Sequence, residues 1–157
     1  MTAVNPSSPL SRVEGCLLCQ TVSGRVVFEA REFRVIHAEE AGFPAFYRVI
    51  WRDHVAEFSD LSRADRALCM DIVALVEQSL RMHLQVPPTK INLAALGNMV
   101  PHLHWHVIAR FDWDSHFPAP VWAAAQRNRD AGREATLAAQ LPAMETAMIA
   151  ALNQRTS

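Results

Sequence analysis

The chain has 157 residues, half of them hydrophobic, so it has room for one domain with one sizeable core. Fifteen lysines and arginines stand against 16 acidic residues, which excludes the overall positive field that attracts nucleic acid or an anionic membrane. Any phosphate group that the protein handles must therefore be bound by a local site.

The N-terminal segment, residues 1–12, is rich in Ser, Pro and Thr and is predicted to be flexible. It lacks the basic region and apolar run of a secretory signal, and no later apolar run reaches membrane-spanning length. We therefore expect a cytoplasmic protein with no membrane and no nucleic-acid partner. The three cysteines are unevenly spaced, which favours reduced thiols over a disulfide framework.

The first half of the chain predicts a small sheet followed by a helix. Runs rich in β-branched and aromatic residues predict strands at residues 25–30, 32–38 and 46–52, connected as an antiparallel meander. From residue 61 to residue 84, apolar residues recur every three or four positions, which predicts the main helix. Its start is capped either by Ser62, with Asp65 three residues later, or by Asp60.

The second half predicts two more strands, at residues 90–96 and 102–110, joined through a loop at residues 97–101. Beyond them we expect a short helical turn at residues 121–127 and a terminal helix at residues 142–152. The fold class that follows is α+β, with an antiparallel sheet of about five strands and one long helix packed on it. The domain then spans residues 13–125, and residues 126–157 form a C-terminal extension with a helix.

Three histidines recur at every second position of the last predicted strand: His102, His104 and His106. Because side chains alternate faces along a strand, the three imidazoles point to one face and the apolar residues between them to the other. A neutral imidazole can attack phosphorus, move a proton or donate to a phosphate oxygen. The alternative is three structural histidines without a shared purpose.

The segment from His102 to Ile108 matches the pattern His-φ-His-φ-His-φ-φ, in which φ is apolar, at all seven positions. This pattern resembles the signature of the histidine triad, or HIT, family of nucleotide hydrolases and transferases. The resemblance covers roughly residues 16–110, and residues 92–118 are most similar to short bacterial HIT proteins. It implies an HIT-like fold and a homodimer.

The resemblance implies that His104 is the nucleophile and forms a covalent nucleotidyl-imidazole that water then resolves. It implies that His106 and Asn98 donate hydrogen bonds to the α-phosphate oxygens. His102 is expected to orient or support the strand. No cofactor is required for this chemistry.

Two further positions match nucleotide-binding residues of the family, Asn92 and His37, although a histidine in the place of His37 serves packing as often as function. Where many HIT enzymes carry an aspartate that accepts from the ribose hydroxyls, this chain has Ala38, followed by Glu39 and Glu40. The resemblance therefore does not extend to ribose recognition.

Cys16 and Cys19 have the spacing of a metal knuckle. Resemblance to zinc-containing HIT relatives implies that His54 and His102 complete a Cys2His2 set around a structural zinc. Reduced, metal-free thiols that pack as small hydrophobic residues remain the alternative.

The sequence thus predicts a nucleotide hydrolase or nucleotidyl transferase that acts at the α-phosphate through a nucleotidyl-histidine. Its substrates would be nucleoside phosphoramidates, adenylylated compounds or dinucleoside polyphosphates. The alternative is a non-catalytic nucleotide-binding or regulatory HIT module, or a zinc-stabilised scaffold that acts through protein contacts.

Overall fold

The computed structural model describes residues 9–157, and within this range it contains five strands and four α-helices. The strands are β1 (Arg25–Glu29), β2 (Phe33–His37), β3 (Phe46–Trp51), β4 (Lys90–Ala94) and β5 (His104–Arg110). The helices are α1 (Leu17–Gln20), α2 (Arg63–His83), α3 (Ala131–Ala138) and α4 (Leu141–Thr156). The predicted α+β fold is confirmed. Residues 1–8, most of the N-terminal segment expected to be flexible, lie outside the described residues.

The sheet has the strand order β1-β2-β3-β5-β4, and every neighbouring pair is antiparallel. The first three strands form the predicted meander. The chain then leaves the sheet through α2, returns at the edge as β4, and places β5 between β4 and β3. The histidine-bearing strand is therefore bonded on both sides, which fixes its register and its two faces.

Helix α2 begins after Ser62, whose Oγ accepts a hydrogen bond of 3.1 Å from the backbone N–H of Asp65. The predicted cap at Ser62 is thus confirmed, whereas Asp60 accepts from the N–H of Glu57 and caps a preceding single turn. The helix ends at His83, a few residues before the consecutive prolines that exclude further helix.

The core lies between one face of the sheet and helices α2 and α4. Alternate strand residues, among them Val35, Val49 and Val107, turn towards α2 and are fully buried. Helix α4 packs on α2 and β1 and contributes Met144 and Met148 to the same core. The opposite face of the sheet carries the histidines of β5 and is free of these helices.

The C-terminal region differs in part from the sequence prediction. The terminal helix is present and runs from Leu141 to Thr156, but α3 precedes it and was not predicted. The helical turn predicted at residues 121–127 is wrong: this stretch consists of turns, and the N–H groups of Gln126 and Arg127 donate to the carbonyl oxygen of Ser115. Partners that are distant in sequence replace the local hydrogen bonds of a helix there.

Among residues 9–157, no single helix is long and apolar enough to cross a membrane. Helices α3 and α4, which are bent by 41° relative to each other, reach the required length and apolar composition only when they are taken together.

A buried polar cluster ties α4 to the sheet. The carboxylate of Glu145 accepts two hydrogen bonds from Arg25, at 3.0 and 2.7 Å, and one of 2.7 Å from the hydroxyl of Tyr47. Burial raises the pKa of Glu145, but the hydrogen bonds from Arg25 and Tyr47 outweigh it and leave the pKa below its ordinary value. The carboxylate is therefore ionised and holds the end of β1 against the helix.

We predict that Glu145→Ala lowers the free energy of unfolding by about 2 kcal/mol, because the buried Tyr47 hydroxyl loses its acceptor. Asp71→Ala is the matched control, since it removes the exposed Asp71–Arg155 pair that also holds α4 but is expected to contribute below about 1 kcal/mol. Urea denaturation at pH 7 measures both.

The same cluster predicts a pH dependence. Because the pKa of Glu145 is lower in the folded than in the unfolded protein, its ionised carboxylate stabilises the fold above the ordinary glutamate pKa of about 4.3. This stabilisation is lost as the pH falls through the folded-state pKa. The difference in free energy of unfolding between wild type and Glu145→Ala should therefore become smaller in acid. Equal losses in Glu145→Ala and Asp71→Ala at pH 7 would contradict the anchoring role.

Candidate active site

The two histidines of β5, His104 and His106, face a cleft of about 500 Å³ on the side of the sheet opposite α2. The ring centroids of His104 and His106 are 5.0 Å apart, and the ring planes are inclined by 80°. The other residues that line the cleft come from α1 and the turn after it, from β3, from the loop before β5, and from a C-terminal loop: Leu17, Leu18, Ser23, Arg48, Leu96, Gly97, Asn98, Met99, Val100 and Trp122.

The orientation of His104 is set by the backbone of the same strand. Its Nδ1 lies 2.6 Å from the carbonyl oxygen of His102, which can only accept, so Nδ1 carries the proton and donates. The other ring nitrogen, Nε2, is then left with its lone pair. Burial lowers the pKa of His104, and the positive charge of Arg48 lowers it further. His104 is therefore neutral near pH 7 and carries a lone pair on Nε2.

His106 is more deeply buried, with 6% of its surface exposed. Burial lowers its pKa to about 3, helped by the charge that His104 acquires when it is protonated and by the charge of Arg48. Its Nδ1 accepts a hydrogen bond of 3.4 Å from Nε of Arg48. The edges of Phe46 and Trp122 contact its ring, with centroids 5.5 and 5.1 Å away. The ring is held from several sides and remains neutral.

His102 precedes β5 and is not among the residues that line the cleft. Its Nε2 lies 2.6 Å from the carbonyl oxygen of Trp51, so Nε2 carries the proton and donates. Its Nδ1 lone pair lies 3.5 Å from the sulfur of Cys16 and 3.4 Å from that of Cys19. The structure therefore separates His102 from the cleft and joins it to the two cysteines.

The four residues proposed from sequence as metal ligands lie together: Cys16, Cys19, His54 and His102 offer ligand atoms that are all within 4.8 Å of one another. In tetrahedral zinc sites, metal–sulfur distances of about 2.3 Å and metal–nitrogen distances of about 2.0 Å place sulfur and nitrogen about 3.6 Å apart. The sulfur of Cys19 is 3.4 Å from Nδ1 of both histidines, which fits this geometry. The cluster can hold a metal ion.

The chain around the cysteines is held by arginines. Arg12 donates to the carbonyl oxygen of Cys19 at 3.1 Å, and Arg34 donates to those of Leu18 and Thr21 at 2.8 and 2.9 Å. The short helix α1 is thereby fixed against β2. These bonds fix the backbone that presents the sulfur of Cys19 to the two histidines.

The residues expected to bind the nucleotide lie in different places. Asn98 lines the cleft with His104. Asn92 lies on the same face of the sheet, where its Oδ1 accepts a hydrogen bond of 2.8 Å from Arg110. His37 lies on the opposite face, edge-on to Tyr47, and its Nε2 is 2.6 Å from the carbonyl oxygen of Pro44. The structure thus brings Asn98, but not His37, next to the triad.

Ala38, in the place of the ribose-binding aspartate of many HIT enzymes, is packed in an apolar cluster with Phe43, Phe46 and Ile108. The carboxylate of Glu40 lies 3.1 Å from a guanidinium nitrogen of Arg48. Glu40, two residues after Ala38, is therefore paired with Arg48, which lines the cleft.

Among the cleft residues that sequence reasoning did not assign to the site are Arg48 and Trp122, which both contact His106. Arg48 stands directly opposite His106 in the pairing of β3 with β5, so a correct strand register would have found it. Trp122 gives no such signal, because it belongs to a loop whose path depends on tertiary contacts.

That loop is fixed by a buried ion pair. The guanidinium of Arg110 donates to both oxygens of Asp114, at 2.8 and 3.0 Å, and both side chains are almost fully buried. The Asp114 carboxylate also accepts from the backbone N–H groups of His116 and Phe117. The end of β5 is thereby locked to the turn that leads to Trp122.

The fold and the site define a protein of the histidine triad class. The family model described as the HIT domain matches residues 20–113, more than half of the chain, and the chain belongs to this family. A search of curated proteins found no match.

Solved structures agree with this assignment. A histidine triad protein from Bradyrhizobium japonicum is 29% identical with a TM-score of 0.61, over 76% of this chain and 89% of the other. A histidine triad protein from Sinorhizobium meliloti is 26% identical with a TM-score of 0.61, over 76% and 88%. One from Marinobacter aquaeolei, 23% identical with a TM-score of 0.62 over 80% and 91%, shares the fold.

We predict that the ring of His106 stays neutral from pH 8 to pH 5, because burial opposes its protonation. Histidine side-chain NMR over this range should show no titration of His106 in the folded protein. The urea-unfolded protein is the control, where the ordinary value of about 6.5 should return. A folded-state midpoint near 6.5 would contradict the prediction.

Proposed function

We propose that the protein is a nucleotide hydrolase or nucleotidyl transferase in which His104 attacks the α-phosphorus and forms a covalent nucleotidyl-histidine. The observation that carries the proposal is the 2.6 Å hydrogen bond from Nδ1 of His104 to the carbonyl oxygen of His102, which leaves Nε2 as the lone-pair nitrogen of a neutral ring. An unprotonated nitrogen of fixed orientation at a cleft is what nucleophilic attack requires.

In the first step, the lone pair of Nε2 forms a bond to the α-phosphorus while the bond to the leaving group breaks. The leaving group keeps the electron pair of that bond and takes up a proton from solvent. In the second step, a water oxygen or the hydroxyl of an acceptor attacks phosphorus and loses its proton to solvent, the N–P bond breaks, and its electron pair returns to Nε2 of His104. Two displacements of low barrier replace one of high barrier.

His106 and Asn98 are the groups that we assign to the α-phosphate oxygens, because both line the cleft beside His104. The Nδ1 of His106 is occupied by Arg48, so its Nε2 holds the ring proton and can donate. Donors fixed in advance stabilise the charge that develops on phosphate oxygens in the transition state. Asn92 is assigned a supporting role on the nucleotide side, through its bond to Arg110.

The substrate class that we propose is a nucleotide with a substituted α-phosphate: a nucleoside phosphoramidate, an adenylylated compound or a dinucleoside polyphosphate. The placement of Ala38 among apolar side chains supports weak discrimination of the ribose hydroxyls. Membership of the HIT family supports a homodimer as the working form.

We also propose that the Cys2His2 cluster holds a structural zinc ion. A closed site with four protein ligands leaves no position for substrate, so the metal would contribute stability and not chemistry. The hydrogen bond from Nε2 of His102 to Trp51 supports this assignment, because a second partner of this kind fixes the tautomer that presents a lone pair to a metal.

We predict that His104→Asn lowers turnover by about a thousandfold or more. The fold should stay intact, because the side chains of β5 that pack into the core lie on the other face of the strand. The matched control is His83→Asn, on the exposed side of α2, which should keep wild-type turnover. Turnover is measured on a panel of phosphoramidates, adenylylated compounds and dinucleoside polyphosphates.

Intact mass of protein quenched in alkaline denaturant should show a nucleotidyl adduct in wild type and none in His104→Asn. Wild-type turnover by His104→Asn would show that His104 is not the nucleophile. A wild-type protein that binds a nucleoside monophosphate but forms no adduct with any donor would identify a non-catalytic binding module instead.

For the metal, we predict about one zinc per chain in wild type purified without chelator and much less in Cys16→Ser, with a lower melting temperature, because metal binding is coupled to folding. Cys69→Ala is the control: this cysteine is buried in the main core, outside the cluster, and its loss should leave the zinc content unchanged. Wild-type protein without metal would leave the thiols as packing residues.

A further inference from the structure

Arg48 stands opposite His106 in the antiparallel pairing of β3 with β5, and both side chains extend from the same face of the sheet. The Nε–H of Arg48 donates to Nδ1 of His106 at 3.4 Å. About a fifth of the Arg48 side chain is exposed, and the residue lines the cleft. Arg48 is therefore a neighbour of the triad that comes from another strand.

The partner of each ring decides where its proton lies. A guanidinium has N–H donors and no acceptor, so the nitrogen of His106 that faces Arg48 must carry the lone pair, and Nε2 must carry the proton. His104 is in the reverse state, because its Nδ1 faces a carbonyl oxygen and must donate. Two rings 5.0 Å apart are thus fixed as opposite tautomers by partners of opposite hydrogen-bonding character.

Arg48 is itself held in place. Its Nη2 donates to Glu40 at 3.1 Å, and its guanidinium lies 5.4 Å from the centre of the Phe46 ring. The edges of Phe46 and Trp122 contact the ring of His106 and limit its rotation. With the ring plane already restricted, the contact with Arg48 determines the tautomer.

We propose that Arg48 is a positioning residue that holds His106 as the Nε2–H tautomer, so that His106 donates a hydrogen bond into the cleft while His104 alone presents a lone pair. The catalytic meaning of this arrangement rests on the proposed function. The tautomer itself does not, and it is measured in the protein without any substrate.

The test is a long-range proton–nitrogen correlation spectrum of the ¹⁵N-labelled full chain at pH 7.5, with His106 assigned by the signals lost in His106→Gln. In wild type, Nδ1 of His106 should appear unprotonated and Nε2 protonated. In Arg48→Met, which keeps the apolar stem, the two nitrogens should shift towards an average or towards the reverse tautomer. Arg52→Met removes a guanidinium from the residue that follows the same strand, where it donates to the carbonyl oxygen of Ala30, and should leave the His106 signals unchanged.

A protonated Nδ1 in wild type, or wild-type His106 signals in Arg48→Met, would overturn the proposal. The wild-type spectrum decides the matter alone if Arg48→Met does not fold. A merely structural role for Arg48 would lower stability without altering the tautomer.

Turnover supplies a second arm. Arg48→Met should lower kcat by about tenfold and change KM less, since one transition-state donor is misplaced and not removed. In a protein that already carries His106→Ala, Arg48→Met should lower kcat by less than about twofold, because its effect on turnover acts through His106. Additive losses would show that Arg48 acts independently of His106. If the wild type turns over no substrate, the proposed function fails while the tautomer result stands.

Discussion

His102 joins the two halves of the candidate site. Its ring donates to the carbonyl oxygen of Trp51 and presents its lone pair to Cys16 and Cys19, while its own carbonyl oxygen accepts from Nδ1 of His104. The same residue therefore belongs to the Cys2His2 cluster and fixes the tautomer of His104. Any disturbance of the cluster that shifts the backbone at His102 also shifts the acceptor that orients His104. The segment that carries Cys16 and Cys19 is in this way linked through His102 to strand β5.

The three histidines of the motif have similar sequence surroundings but different partners. His104 faces a carbonyl oxygen, His106 faces a guanidinium, and His102 faces a carbonyl oxygen on one side and two thiols on the other. Since a neutral imidazole donates from one nitrogen and accepts at the other, these partners fix the tautomer of each ring. Burial lowers the pKa of all three, which keeps them neutral so that the assignment holds near pH 7.

The cleft depends on parts of the chain that the family match does not include. The match ends at residue 113, yet the edge of Trp122 contacts His106. The buried pair of Arg110 and Asp114 carries the chain from the end of β5 to this position. Helix α4 is held separately, through Glu145 and its bonds to β1 and β3. The C-terminal region thus completes both the core and one wall of the site.

The sequence by itself determined the strands, the main helix and the family, because alternation, helical periodicity and the spacing of the three histidines are local properties of the chain. Of the two caps that the sequence allowed for the main helix, Ser62 and Asp60, the structure shows Ser62. The sequence also predicted the four candidate metal ligands, through its resemblance to zinc-containing HIT relatives. Only the tertiary structure decided that Arg48 pairs with His106, that His37 lies on the far face of the sheet, and that Trp122 reaches the cleft. Strand register and the path of a loop depend on contacts between residues far apart in sequence, and no local pattern encodes them.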